Sequence, residues 1–150
     1  MMERIGAWFT NYGSRKLEWL ISIYTIYFGS ALMLPPTSMA TNSFRGVLST
    51  MGEPTWGGIY LMVGIIHAIS LHVNGRSAWT PFARLGALFL NANVFLAMTF
   101  GLAETNPYST GVITYGFLAM GFCGAAIASA CHDCGREVRI WWEGRKHGRL

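Results

Sequence analysis

Charge is what this sequence has least of. Of 150 residues, 11 are Lys or Arg and 7 are Asp or Glu, together 12% of the chain, where a soluble domain carries about a quarter. Such a chain has too few charges to cover a water-facing surface, so an ordinary soluble domain is disfavoured. Cysteine is also scarce, with 3 in all, and no disulfide framework is implied. Missing too are a phosphate-binding Walker loop, a dinucleotide fingerprint, a nucleophile elbow and an HExxH pair. None of the 7 acidic residues lies inside an apolar run beyond its ends, so no carboxylate pair is expected at membrane depth. A catalytic role, a cofactor, a metal site and nucleic-acid binding are therefore not expected.

What the sequence has is apolar length. Between charges lie four long uncharged windows, 19–44, 54–75, 85–103 and 105–132, and a helix needs about 20 apolar residues to cross the hydrocarbon core. The expected fold is all-α: a polytopic integral membrane protein, an up-down four-helix transmembrane bundle with short interfacial amphipathic helices. The spans are placed at 17–34, 56–73, 84–103 and 111–130. Their ends carry local stop and start signals: Pro35-Pro36 after the first, Asn74-Gly75 after the second, Thr80-Pro81 as cap and first turn of the third, and Asn106-Pro107-Tyr108-Ser109 before the fourth. Trp19, Trp56, Trp79, Tyr108, Trp141 and Trp142 fall near these ends, where amphipathic rings meet headgroups.

Ten of the eleven basic residues fall on one side of this arrangement, with Arg45 alone on the other. By the bias of basic loops toward the cytoplasm, both termini are expected to be cytoplasmic. Ser38-Met39-Ala40 after the first apolar run also resembles a small-residue cleavage site. Cleavage there would leave three spans, but the leader before the run is long and mixed in charge.

Two segments, 3–12 and 43–51, show apolar residues at helical spacing: Ile5, Trp8, Phe9 and Tyr12, then Phe44, Val47, Leu48 and Met51. Each reads as a short helix lying on the bilayer, the second capped by Asn42 or Ser43 and ended by Gly52. The tail 133–150 carries Arg136, Arg139, Arg145, Lys146 and Arg149 beside Ile140, Trp141 and Trp142, a composition suited to an anionic leaflet at ~1 kcal/mol per basic residue.

Counting inward from the cytoplasmic charges places His67 and Asn93 each nine residues deep, about 13 Å along a helix. Asn91, Tyr24 and Cys123 reach similar depth, so all four helices bring a polar group to one layer. Asn91 and Asn93 point about 200° apart around their helix. One is expected to meet His67, leaving the other for a second helix, a water-filled path or another copy of the protein. The layer reads either as interhelical glue or as a polar path responding to protonation of His67. On the fourth span, Gly121, Ala125 and Ser129 form one small-residue stripe and Gly124 and Ala128 an adjacent one. Such stripes serve packing inside the bundle or homo-oligomerisation. Cys131-His132-Asp133-Cys134 supplies one CxxC pair where a structural zinc site wants two.

The run Leu34-Pro35-Pro36-Thr37-Ser38-Met39-Ala40, the pair Trp56-Gly57, and Asn106-Pro107-Tyr108-Ser109-Thr110-Gly111-Val112 together resemble small four-helix membrane proteins encoded in tailed-phage genomes and prophages. The resemblance implies a phage protein acting at, or passing through, the host inner membrane, and brings no activity or functional residues with it. Three readings of role follow: a holin-like protein that self-associates and permeabilises the membrane, a membrane interaction protein such as a superinfection-exclusion factor with a phage or host partner, and a virion component used in genome delivery.

Overall fold

The computed structural model describes residues 14–34, 38–73 and 79–146; the expected segment 3–12, Pro35-Pro36, Asn74-Gly75 and Arg149 lie outside them. Among the described residues every regular element is helical. The elements are α1 (Ser14–Leu32), a 3-10 turn (Asn42–Phe44), α2 (Arg45–Thr50), α3 (Glu53–His72), α4 (Thr80–Thr105) and α5 (Thr110–Lys146). Helices α3, α4 and α5 are long and apolar enough to cross a membrane. Helix α1 is 19 residues long but carries Arg15, Lys16 and Glu18 near its start, which keeps it out of that class.

Small residues decide how α1 meets α3. A Cβ added to Gly29 would stand 2.4 Å from Leu61 N, and one on Gly64 would stand 2.8 Å from Ile26 N. Backbones therefore touch along this crossing, and Ser22 Oγ donates to Gly64 O at 3.0 Å. Large side chains fill the other contacts. Tyr24 and Phe28 of α1, Trp56 and Tyr60 of α3, Phe95 of α4 and Tyr115 of α5 form one aromatic cluster, with neighbouring centroids 5.0–6.4 Å apart. Edge and tilted contacts of this kind are the favoured ring geometries. Helices α1 and α5 leave an apolar crevice of about 240 Å³, lined by Leu17, Leu20, Ile21, Tyr24, Leu118 and Phe122 among others.

The helix expected over 43–51 forms and docks against α4. Gly46 and Val47 are buried. A Cβ on Gly46 would come 2.1 Å from Gly101 O of α4, so only glycine allows this docking. Gly46 N donates to Thr105 Oγ1 at 3.1 Å and Trp56 Nε1 to Val47 O at 3.2 Å. Neither Asn42 nor Ser43 caps it, and Gly52 stands as the cap of α3, not as the end of α2. Glu53, in the first turn of α3, accepts from Ser38 N and Oγ at 2.7 Å and from Met39 N at 3.2 Å. The Ser38–Met39 stretch is thereby tied to the bundle, with Met39 1% exposed.

Two further boundaries differ from expectation. Trp79, not Thr80, occupies the cap of α4, and Thr80 and Pro81 already belong to its first turn. Ser109 caps α5 by accepting from Val112 N at 3.3 Å, after a turn in which Asn106 Oδ1 accepts from Tyr108 N. Helix α5 does not stop at residue 130. It passes through a π-helical turn, Leu118–Cys123, and runs unbroken to Lys146. Nothing between Ala130 and Lys146 breaks a helix: the segment has no proline, and Gly135 and Gly144 cost only about 1 kcal/mol each.

Candidate functional site: a buried ionic and hydrogen-bonded network

Helices α1 and α4 start at the same end of the bundle, where α3 finishes and α5 leaves. There, three side chains that the sequence would place at helix ends or facing solvent meet. Arg84 of α4 is 1% exposed and donates from Nε to Glu18 Oε2 of α1 at 2.9 Å. Its Nη2 donates to Glu18 Oε1, making the pair bidentate. Its Nη1 donates to Asp133 Oδ2 of α5 at 3.2 Å. Planar guanidinium suits this fork, which a lysine would not reproduce. Glu18 is fully buried, whereas the Asp133 side chain keeps 26% of its exposure. The network therefore meets solvent at Asp133.

One step further in, His67 of α3 is fully buried with Nε2 4.0 Å from Glu18 Oε2. That gap is too long for a hydrogen bond. On the other side of the ring, Asn91 Nδ2 lies 3.2 Å from His67 Nδ1 and donates to Ala87 O at 2.8 Å. Thr25 Oγ1 of α1 stands 2.7 Å from both Asn91 Oδ1 and Ile21 O. All four long helices thus contribute to one connected set: Asp133, Arg84, Glu18, His67, Asn91 and Thr25. Burying charge is tolerable here because each charged member is bidentate or paired.

The expected polar layer is brought together only in part. Asn91 faces His67, and Asn93 turns away: it is exposed and bonds from Nδ2 to Phe89 O of its own helix at 2.8 Å. Tyr24 sits in the aromatic cluster, half-buried. Cys123 is a free thiol, fully buried on the inner face of α5. Glu18, at the start of the first expected span, is buried inside the bundle, and the depth count began from Arg84, which is itself interior. A signal was present: Glu18, Ser22 and Thr25 follow i, i+4, i+7 on α1, and Arg84 and Asn91 are seven apart on α4.

The small-residue face of α5, which the sequence assigns either to packing or to self-association, lies largely outside the bundle. Inward stand Ala119, Cys123, Ala126 and Ala130. Ala125 and Ala128 are exposed, Gly121 and Ser129 are partly so, and a Cβ on Gly124 would meet nothing within 4 Å. Beyond Asp133 the basic tail is a helical rod. Arg136 and Arg139 are exposed, Arg145 lies over Trp141 at 4.2 Å and Lys146 near Trp142 at 5.8 Å. Trp141 and Trp142 ride about 17 Å past residue 130 at 1.5 Å per residue. Val138 and Trp141 border a groove of about 390 Å³ with Trp79, Phe82 and Glu137. Cys131 is exposed while Cys134 is buried, and among the described residues no three His, Cys, Asp or Glu side chains converge as metal ligands. Comparison with protein-family models, with curated proteins and with solved structures finds no match to this chain.

Proposed function

We propose that this chain is a non-enzymatic membrane protein whose four long helices all span the bilayer, and that it acts as a homo-oligomer that perturbs or permeabilises the membrane in a holin-like way. Helix α1 joins the three apolar helices as a span because its charge is neutralised from within: Glu18 is held by Arg84, and its outward side carries Leu20, Ile23 and Tyr27. The up-down order then puts both ends of the chain on the side rich in Lys and Arg, the cytoplasmic side of an inner membrane. The resemblance read from the sequence supplies the phage setting.

Self-association rests on the outer face of α5. Gly124, Ala125 and Ala128 offer a backbone to close approach exactly where the chain itself packs nothing, and small-xxx-small faces associate in lipid. Asn93 adds an exposed carboxamide on α4, and such a group in hydrocarbon gains from a partner in another copy. Induced expression in a bacterium tests the reading. The expected result is a cross-linked ladder of oligomers and collapse of the membrane potential, both lost in Gly124→Leu. Intact potential at high expression contradicts permeabilisation, and a monomer in membranes contradicts self-association.

A second reading, a membrane interaction protein such as a superinfection-exclusion factor or a virion-associated protein, draws on the helical rod of α5. Val138, Ile140, Trp141 and Trp142 are all exposed on it, a display suited to a phage or host membrane protein. Resistance to infection without toxicity, lost on truncation after Gly135, distinguishes this from the first reading.

A further inference from the structure

The buried network contains one group whose bonding is incomplete. His67 Nε2 is the one buried side-chain nitrogen or oxygen among the described residues with no hydrogen-bond partner. Across the ring, Nδ1 faces the Asn91 amide nitrogen, which carries hydrogens and no free lone pair. Nδ1 must therefore accept, and the ring hydrogen sits on Nε2, directed toward Glu18. The charged groups around the ring are Glu18 from α1 and Arg84 from α4, with Asp133 of α5 behind Arg84. Two carboxylates thus share one guanidinium, and one positive charge would complete the set.

We propose that His67 is a proton-binding site, with Glu18 as its counter-ion and the Asn91 carboxamide as a switch that rotates when the proton is bound. The proton, taken from water, adds to the Nδ1 lone pair and no bond to carbon or nitrogen breaks. Asn91 then turns its amide so that Oδ1 accepts from the new Nδ1–H. Its Nδ2 comes to face Thr25 Oγ1, which accepts while its own hydrogen goes to Ile21 O, already 2.7 Å away. The contact from Asn91 Nδ2 to Ala87 O is given up, and the amide oxygen has to swing clear of that carbonyl. On the far side the charged ring closes the 4.0 Å gap to Glu18. Both arrangements satisfy the side chains, which is what a two-state element requires.

The test is nitrogen-15 NMR of histidine-labelled full-length protein in lipid nanodiscs, with the His67 signal assigned by its loss in His67→Gln. At high pH the ring carries its hydrogen on Nε2, and it becomes doubly protonated as pH falls. Asn91→Leu removes the carboxamide from both states, and because the bond lost in the charged state is the stronger, the ratio of charged to neutral His67 at a given pH falls about tenfold. Glu18→Gln removes the counter-ion and also lowers the ratio, about tenfold. Where Glu18→Gln does not fold, Thr25→Val lowers the ratio by removing the acceptor for the rotated amide. A hydrogen on Nδ1 at high pH, a ring that stays neutral where free histidine titrates, or an Asn91→Leu ratio that stays put or rises overturns the proposal.

Discussion

At the scale of single residues, Glu18 and Arg84 matter more than their count suggests. Removing one partner of a buried pair strands the other, so Arg84→Met costs about 3–5 kcal/mol, measured by reversible unfolding in mixed micelles. The double variant Glu18→Leu with Arg84→Met recovers most of that loss, because Asp133 is left near solvent and no charge remains trapped. A loss in the double variant as large as in the single one would mean that the pair shapes the fold beyond charge compensation. The two asparagines of α4 separate in the same way: Asn91→Leu lowers stability of the single chain, whereas Asn93→Leu leaves it unchanged and weakens cross-linking between copies. Here the sequence was legible up to a point. Two residues of helical pitch are enough to say that only one asparagine faces His67. They are not enough to find Glu18 and Arg84, because a charge next to an apolar run reads as the run's edge until a partner on another helix is known.

Among elements, glycine has two opposite uses. Gly29 and Gly64 let α1 and α3 touch backbone to backbone, so Gly64→Leu separates these helices and lowers stability by at least the 1–3 kcal/mol typical of overpacking. Gly124→Leu, with open space around it, leaves the unfolding midpoint of the monomer within experimental scatter while dispersing the oligomer. Equal destabilisation by the two substitutions would remove the distinction between inner and outer glycines. Spacing alone did not make this distinction, since a small stripe reads the same on either side of a helix. Lengths were similarly readable only where a breaker marks them. The turn at Asn106–Ser109 and the cap on α5 were legible in residue type, while the far end of α5 was not, because a fall in hydropathy ends a span without ending a helix. The inward docking of α2 was hidden too, as Val47 and Leu48 suit a bilayer and the Gly46–Gly101 contact equally well.

For the whole molecule, three helices qualify as spans by length and apolarity, and our proposal adds α1 as a fourth because Glu18 and Ser22 on its polar side are covered by its neighbours. Its status decides whether the two ends of the described chain share a compartment. Labelling with a membrane-impermeant maleimide measures this directly, using single-cysteine versions of the full chain with the reactive thiol at Arg15→Cys, at Ser43→Cys or at native Cys131. Four crossings predict that Ser43→Cys reacts in intact cells, while Arg15→Cys and Cys131 react only in inverted vesicles. Reaction of Arg15→Cys from the outside, with Cys131 still protected, would contradict the four-span bundle and the self-associating membrane protein built upon it.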